Sequence, residues 1–511
     1  MRKSSLGLIA IALIYLGALW LWGLPINEMP FGDVDSAGHF VLGDYMSYSD
    51  KSMYNLPFFI VPMYGSENNG RIWYPPQYHT NEAIFQAIGG ERIIPVYLWV
   101  LIASVLSVIS VFFVINKLYG MLPAALASFL MVFSARNYMT YLWAQWPQVA
   151  AFAFVPIVIY CYYQYTKDNK KTIYLYMTSV FLAIQYFFHP QAVGHSAMAI
   201  IVYSVVFLIV NRKMPFKIKT GLIAFFLLII LMLPFFHFSI NSILWQTQSV
   251  DYKAPITRLF SWYPSYDLFK GFIPEDYFSF SKMHGLWTLP FLLLGVLFLA
   301  LRRKSNDLLL LSWLFSYYLL IHMDITGLMV GRLHRAMFDE AHIFYPIIAL
   351  GLLSLPQLFT LKGKAKTYAK YALIILFLVL AVNFNARQAY SNLSSAYPGI
   401  LRLNEAEYEA ATWLRDLPED KGVRIAGTLV AAKKKWIGFL AYKVPIYDYE
   451  TLSGEKSPDI NYTNYFFVDY TDALAIGRQD VAAAIAEWEK SMLENKTPLY
   501  NKNNIRVYET G

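Results

Sequence analysis

The 511-residue chain contains one cysteine, and only 15% of its residues are charged. A single thiol excludes a disulfide within the chain and a C-x-x-C metal site, and Cys161 itself lies in an apolar run. The low charge accompanies 57% hydrophobic residues and a mean hydropathy of +0.40, which is more apolar surface than a soluble protein can bury. The sequence also lacks GxSxG, Walker A and GxGxxG patterns, so nucleophilic lipase chemistry, ATP hydrolysis and dinucleotide binding have no support. What is left is a polytopic α-helical membrane protein.

Long apolar runs predict a bundle of about eleven transmembrane helices. Alternate connections between the runs are short and carry lysine or arginine, which marks the cytoplasmic side of a membrane protein. Basic residues at positions 2 and 3 therefore place the N-terminus in the cytoplasm. This distribution also accounts for the net charge of +8 without nucleic acid as a partner. The apolar runs are residues 6–24, 94–115, 121–134, 149–165, 172–188, 192–211, 220–236, 284–301, 308–322, 341–361 and 371–385.

Two domains are predicted, a transmembrane domain over residues 1–385 and a small extracytoplasmic α/β domain over residues 386–511. The cytoplasmic loops are minimal, whereas the outer side has two long loops, 25–93 and 237–283. Function is therefore expected on the outer face of the plasma membrane. The second domain has the composition of a soluble domain, and its periodicity predicts helices 404–416 and 480–494, strands 423–429 and 465–470, and a hairpin at 498–509.

The first outer loop begins with three candidate catalytic residues, Asp33, Asp35 and His39, directly after the first apolar run. Ionisable side chains at a membrane boundary are costly, and they usually bind an ion, bind a polar substrate or move a proton. A helix that starts near Asp35 places Asp35 and His39 on one face, four residues apart. The carboxylates can then share a divalent cation, or one of them can act as a base. The structural alternative is that Asp35 only caps the helix and that Asp33 is solvated in the loop.

The same loop continues with aromatic side chains between polar ones, among them Trp73 and Tyr74. Sugar rings have apolar C–H faces and polar edges, so this pattern suits stacking on a sugar. Trp and Tyr are also enriched at membrane interfaces, where they need no ligand. The pattern predicts either a sugar-binding surface or an interfacial aromatic belt.

Polar residues near the outer ends of later helices form a second candidate group, the expected substrate contacts. Arginines on this side run against the charge bias of membrane proteins, and they indicate an anionic partner such as a lipid-linked phosphate. On a helix Arg332 and Arg335 share a face and can bracket one phosphate, and Arg335 is expected to face Asp35 across a cavity. The alternative is a salt bridge, for instance between Arg335 and Asp339. The other members of the group are Arg136, His189 and Glu275.

These features resemble the GT-C superfamily of membrane glycosyltransferases. The similarity rests on residues 32–40 (GDVDSAGHF), on the Trp73-Tyr74-Pro75-Pro76 stretch and on residues 331–342. The resemblance implies a many-helix membrane domain, an acidic motif in the first outer loop and a soluble C-terminal domain. It also implies that Asp35 is the catalytic or metal-organising carboxylate and that the donor is a polyprenyl-phosphate sugar. One departure is that the second domain has no WWDYG-like sequence, which argues against an oligosaccharyltransferase catalytic subunit.

The expected function is that of an integral membrane glycosyltransferase of the cell envelope. The implied mechanism is inverting: a carboxylate deprotonates the acceptor hydroxyl, which displaces lipid phosphate from the anomeric carbon. Arginine or a divalent cation, Mg²⁺ or Mn²⁺, stabilises the charge of the leaving phosphate. The acceptor is a glycan, a lipid or a protein. Two other functions stay open: a polyprenyl-lipid or polysaccharide transporter or flippase, and a non-catalytic member of a cell-surface assembly complex.

Overall fold

The structure is a computed structural model that describes residues 3–48, 59, 76–235, 256–257, 279–326, 339–358, 363–418, 421–446 and 463–509. Most of these residues are helical, and the helices before the C-terminal domain pack around a shared apolar core. The helices of this bundle are α1 (Lys3–Gly23), α2 (Val34–Tyr48), α3 (Gln77–Gly89), α4 (Ile94–Tyr119), α5 (Met121–Val132), α6 (Ala135–Leu142), α7 (Trp146–Phe152), α8 (Val155–Lys167), α9 (Ile173–Phe188), α10 (Pro190–Asn211), α11 (Ile218–Met232), α12 (Phe280–His284), α13 (Leu289–Arg302), α14 (Ser305–Ile321), α15 (Glu340–Leu358) and α16 (Gly363–Leu380).

The long apolar helices confirm the polytopic membrane fold. Within the described residues, six helical stretches are long and apolar enough to cross a membrane, and four shorter apolar helices accompany them. They coincide closely with the apolar runs of the sequence, because a run without charges is itself the requirement for a span. The exact count of eleven stays a prediction. The last apolar run continues as helix through two π-helical turns to Leu401, past residue 385, and the predicted domain boundary there stays a prediction.

The two ends of the bundle differ in chemistry. At one end the helices are joined by short basic connections, and the Tyr119 hydroxyl donates to the Asn306 carbonyl at 2.8 Å. At the same end Asp307 accepts a hydrogen bond from Nε of Arg302 at 2.8 Å. The other end, called the site end below, carries α2, α3 and the short helices α6 and α7. The amide of Asp33 donates there to the carbonyl of Leu142 at 3.3 Å.

The C-terminal residues form a small mixed sheet, as predicted for an α/β domain. The strand order is β2-β1-β3-β5-β4, with β1 parallel to β2 and β3 and with β5 antiparallel to β3 and β4. The hairpin turn contains Asn503 and Asn504, whose φ angles of +53° and +64° suit a type I′ turn. This sheet domain consists of α17 (Glu405–Arg415), β1 (Gly422–Ala426), α18 (Ala431–Leu440), β2 (Val444–Ile446), β3 (Thr463–Asp469), α19 (Thr471–Ala475), α20 (Gln479–Leu493), β4 (Tyr500–Lys502) and β5 (Ile505–Glu509).

The sheet domain packs on the site end of the bundle. Its helix α18 lies against α2, and the indole nitrogen of Trp436 donates to the carbonyl of Gly32 at 3.3 Å. The amide of Leu403 donates to the carbonyl of Pro30 at 3.2 Å. The segment from Pro30 to Gly32 is therefore held between the apolar helices and the sheet domain.

Candidate active site

The acidic motif lies at the start of α2. Gly32 has a φ of +123°, and a Cβ at this position would lie 2.0 Å from the Ser36 hydroxyl oxygen, so the turn requires glycine. The carbonyl of Asp33 accepts a hydrogen bond from the Ser36 amide at 2.8 Å. Asp35 follows in the first turn of the helix, where the helix dipole stabilises an ionised carboxylate. Both aspartates are half-buried.

His39 follows Asp35 by one helical turn and contacts a second histidine. His39 Nδ1 and His79 Nε2 lie 3.0 Å apart, and the two rings are inclined by 21°. The ring of Trp146 lies against His39, with centroids 6.3 Å apart. His79 is almost completely buried, and this burial together with the neighbouring His39 lowers the pKa of His79 well below its usual value. His79 is therefore a neutral imidazole at pH 7, the form that accepts a proton or binds a metal.

A buried carboxyl group lies one turn after His79 on α3. Glu82 is fully buried, and within the described residues neither of its oxygens has a hydrogen-bond partner. It packs over Gly43 of α2, where a Cβ would lie 3.0 Å from Glu82 Oε2. Burial raises the pKa of Glu82 well above its usual value, so this group holds its proton more firmly than an exposed glutamate. Unpaired buried acids are costly and concentrate at functional sites.

Farther along α2, Asp44 is fully buried and joins three parts of the fold. Arg92 donates two hydrogen bonds to it, from Nε at 2.7 Å and from Nη2 at 2.5 Å. Gln86 of α3 donates to it at 3.1 Å, and the hydroxyl of Tyr442 in the sheet domain donates at 2.7 Å. Arg92 also donates to the carbonyl of Leu440 at 3.2 Å. The network ties α2 to the α3–α4 connection and to the sheet domain.

A second buried polar cluster contains the predicted contact Arg136. Arg136 Nε lies 3.4 Å from Glu340 Oε2, and His284 Nε2 lies 3.3 Å from the same oxygen. The adjacent Asp339 lies 3.3 Å from His342 Nδ1. All five side chains are buried. The pairing of Arg136 with Glu340 has the form of the salt-bridge alternative, and a substrate contact by Arg136 stays a prediction.

The remaining predicted site residues fall into two groups. His189 is buried and caps α10, where its Nδ1 accepts a hydrogen bond from the Gln191 amide at 3.3 Å. Its substrate contact stays a prediction. The others lie outside the described residues: Arg332, Arg335, Trp73, Tyr74 and Glu275. Their roles stay predictions, and so does the expectation that Arg335 faces Asp35.

One group of three acidic or histidine side chains in the described residues is close enough to share a metal ion: Glu407, Asp469 and Asp472. The Nζ atom of Lys433 lies among them, 3.2 Å from both Glu407 oxygens and 2.6 Å from Asp472 Oδ1. Asp469 also accepts a hydrogen bond from the Thr428 hydroxyl at 2.8 Å. The ammonium group supplies the positive charge that these carboxylates need, so this cluster does not fit a catalytic cation.

The His39–His79 pair is a second place to consider for a cation. Its facing nitrogens are hydrogen-bonded to each other, so both would become ligands only if a cation replaced the shared proton, and imidazole nitrogen suits Mn²⁺ or Zn²⁺ more than Mg²⁺. Within the part of the chain that the structure describes, Asp35 does not approach both histidines closely enough to complete a three-ligand set. The pair would therefore need further ligands to hold an ion.

No sequence pattern points to Glu82, Asp44, Arg92 or Tyr442 as site residues. Each is a single polar residue in an otherwise ordinary segment, and only the tertiary fold buries it. His79 had a weak signal, because it follows the aromatic stretch that ends the first outer loop.

Comparison with known proteins finds one family model and several solved structures that are similar to the chain. Residues 75–238 match the family model of dolichyl-phosphate-mannose-protein mannosyltransferases. The fold is similar to an Archaeoglobus fulgidus oligosaccharyltransferase in complex with Zn and sulfate, with a TM-score of 0.60 and 14% identity over 98% of this chain and 72% of that one. It is also similar to ArnT from Cupriavidus metallidurans bound to undecaprenyl phosphate, with a TM-score of 0.60 and 11% identity over 98% of this chain and 97% of that one. No curated protein sequence matches the chain.

The matched segment begins in the first outer loop and contains His79, Arg136 and His189. The matched family and both structural relatives are glycosyltransferases, and the relatives share the GT-C fold. The predicted fold is confirmed: the chain has the fold of these GT-C membrane glycosyltransferases, and residues 75–238 match the mannosyltransferase family model.

Proposed function

We propose that the chain transfers a sugar from a polyprenyl-phosphate donor to an acceptor at the extracytoplasmic membrane surface, with Asp35 as the base. The observation that carries the proposal is the position of Asp35, in the first turn of α2 and one turn before the His39–His79 pair. Undecaprenyl phosphate bound to the relative ArnT, and the description of the matched family, support this donor class. The acceptor is a glycan, a lipid or a protein.

The reaction combines one proton transfer with one substitution. The acceptor hydroxyl gives its proton to the Asp35 carboxylate, and its oxygen forms a bond to the anomeric carbon on the face opposite the phosphate. The bond between the anomeric carbon and the phosphate oxygen breaks, and its electron pair leaves with the polyprenyl phosphate. The sugar configuration therefore inverts. The first turn of a helix favours an ionised carboxylate, which is the form that a base needs before the reaction.

The leaving phosphate needs positive charge beside it. We assign this role to the predicted contacts Arg332, Arg335 and Arg136 and to a divalent cation. The residues that would hold the cation are His39 and His79, and the cation would supply charge stabilisation for the leaving phosphate. Asp33 is proposed as a second contact to the acceptor or to the cation.

The proposed orientation places the site end outside the cytoplasm. The opposite end carries the short basic connections, which include Lys117, Lys167 and Arg303 at or next to helix ends. Lysine and arginine favour the cytoplasmic side of a membrane, so this arrangement supports a cytoplasmic N-terminus and an extracytoplasmic sheet domain. A polyprenyl-phosphate sugar that has been moved across the membrane would reach Asp35 from that side.

The donor class is tested with purified full-length protein in proteoliposomes. The protein is given dolichyl-phosphate mannose or GDP-mannose, and the sugar products and the released lipid phosphate are measured by mass spectrometry. We expect cleavage of the lipid-linked sugar, with water as the acceptor in this assay, and no use of the nucleotide sugar. Movement of the intact lipid across the bilayer without cleavage would instead identify a flippase, and cleavage of GDP-mannose would refute the donor assignment.

A further inference from the structure

The sheet domain contacts α2 near both of its ends. Near the start of α2, the Trp436 indole donates to the Gly32 carbonyl at 3.3 Å, and its ring packs against Phe40 with centroids 5.3 Å apart. Toward the other end, the Tyr442 hydroxyl donates to Asp44 at 2.7 Å. Trp436 lies on α18, and Tyr442 follows directly after this helix. The segment that contains Asp35 and His39 lies between these contacts.

Tyr442 is held in place by its backbone conformation and by the side chains around it. Tyr442 has a φ of +52°, a backbone conformation that a bulky side chain keeps only where its surroundings hold it. Its ring stacks on Phe59 at 5.3 Å and meets the edge of Tyr45 at 5.4 Å. Its partner Asp44 is fully buried and is also held by the two hydrogen bonds from Arg92.

The geometry of α2 makes these contacts relevant to the reaction. Asp44 lies nine residues after Asp35 on one helix, which corresponds to about 13 Å along the axis. A helix of this length behaves as a stiff rod, so a shift of the Asp44 end also tilts the end that carries Asp35. A misplacement of about 1 Å at a reacting group can cost on the order of 100-fold in rate.

We infer that Trp436 and Tyr442 are positioning residues, through which the sheet domain sets the position of Asp35. The active site is then incomplete without the sheet domain, although no sheet-domain side chain needs to touch the reacting atoms. This inference rests on the proposed function, because the position of α2 affects the reaction rate only if Asp35 is the base.

The test uses full-length variants that each remove one hydrogen bond and keep an aromatic ring: Trp436→Phe and Tyr442→Phe. The matched control is Tyr470→Phe, which removes a hydroxyl that donates to Glu489 within the sheet domain. Two quantities are measured for each protein. The first is hydrogen exchange of the α2 amides, and the second is kcat and KM for release of mannose from dolichyl-phosphate mannose.

A net hydrogen bond is worth about 0.5–1.5 kcal/mol, so we expect about 2- to 13-fold faster exchange along α2 in both test variants. The exchange of α4 and β3 is expected to stay unchanged. We expect kcat to fall about 5- to 10-fold with KM within twofold of the wild-type value, because binding is intact and the base is displaced. Tyr470→Phe is expected to match the wild type in both measurements.

Three results would overturn the inference: test variants that match Tyr470→Phe, exchange that rises equally throughout the chain, or a raised KM with an unchanged kcat. The proposed function is judged separately, by the Asp35→Asn variant in the same assay. An inactive Asp35→Asn together with unaffected Tyr442→Phe refutes only the positioning role. If the wild type does not cleave the lipid-linked mannose, the donor assignment fails, and the exchange of α2 still decides whether the sheet domain fixes this helix.

Discussion

His39 Nδ1 lies 3.0 Å from His79 Nε2, although the two residues are 40 positions apart in the sequence. The contact joins α2 to α3 one helical turn after Asp35. Since His79 lies within the segment that matches the mannosyltransferase family, the pair connects the acidic motif to that segment. Four measurements follow from this arrangement and from the sheet domain.

Replacement of His79 tests whether the histidine pair supports the reaction. We expect His79→Ala to lower turnover about 10-fold, because His39 loses the partner that fixes its ring. His79→Gln keeps a hydrogen-bonding group at this position and is expected to recover part of that loss. Steady-state rates of the two variants, measured in one lipid composition, decide the point. Equal rates for His79→Ala and the wild type would show that the pair is only structural.

The lowered pKa of His79 predicts that the stability of the fold depends on pH. The pKa of His79 in the folded protein lies below its unfolded value of about 6.5, so the unfolded chain binds the proton more readily. This contribution to stability is present above about pH 6.5 and is lost as the pH falls toward the folded pKa. We expect the apparent unfolding temperature to fall between pH 7.5 and pH 5, and the fall to be smaller in His79→Gln. An identical fall in both proteins would contradict the assignment.

Removal of divalent cations tests the proposed ligands. We expect EDTA to lower turnover by at least about 10-fold and Mn²⁺ to restore it at lower concentration than Mg²⁺, because the facing ligands are nitrogens. In His79→Gln the concentration of Mn²⁺ needed for half-maximal recovery is expected to rise. If EDTA leaves the wild-type rate unchanged, the cation has no role, and arginine alone stabilises the charge of the leaving phosphate.

Glu407 predicts a second pH effect, within the sheet domain. Burial and the nearby Asp469 raise the pKa of Glu407 to about 8, compared with about 4.3 in an unfolded chain. Its contribution to stability is therefore fully present below about pH 4.3 and is lost as the pH rises through about 8. The Asn404 amide donates a hydrogen bond to Glu407 at 2.7 Å. Glu407→Gln removes the charge but keeps a side-chain oxygen that can accept this hydrogen bond. We expect slower exchange of the β3 amides at pH 9 in Glu407→Gln than in the wild type, and faster exchange would refute the raised pKa.

The parts of the fold that could be predicted depend on local signals. Apolar runs and the alternation of basic connections are properties of single segments, as is the capping box formed by Asn404 and Glu407 at the start of α17. The pairing of Asp44 with Arg92 spans 48 positions and its contact with Tyr442 spans 398, and no local pattern encodes either of them.

Helix α18 also cannot be predicted from local sequence signals. It contains three successive lysines, which do not predict a buried helix, yet Lys433 is buried because its ammonium group donates hydrogen bonds to Glu407 and Asp472. Strand β2 has only three residues, too few for a recognisable alternation. Both elements depend on neighbours that are distant in the sequence.

The central claim is that Asp35 is the base of a sugar transfer, and its most direct test is the turnover of Asp35→Asn. The matched control is Asp480→Asn, which replaces an exposed carboxylate paired with Arg478. Rates are measured with dolichyl-phosphate mannose at equal amounts of folded protein, with hydrogen exchange of α2 as the check on folding. General bases contribute about 10²- to 10⁴-fold, so we predict a loss of that size in Asp35→Asn and a wild-type rate in the control. An Asp35→Asn enzyme that keeps the wild-type rate would contradict the mechanism and would leave Asp35 with only a structural role in the first turn of α2.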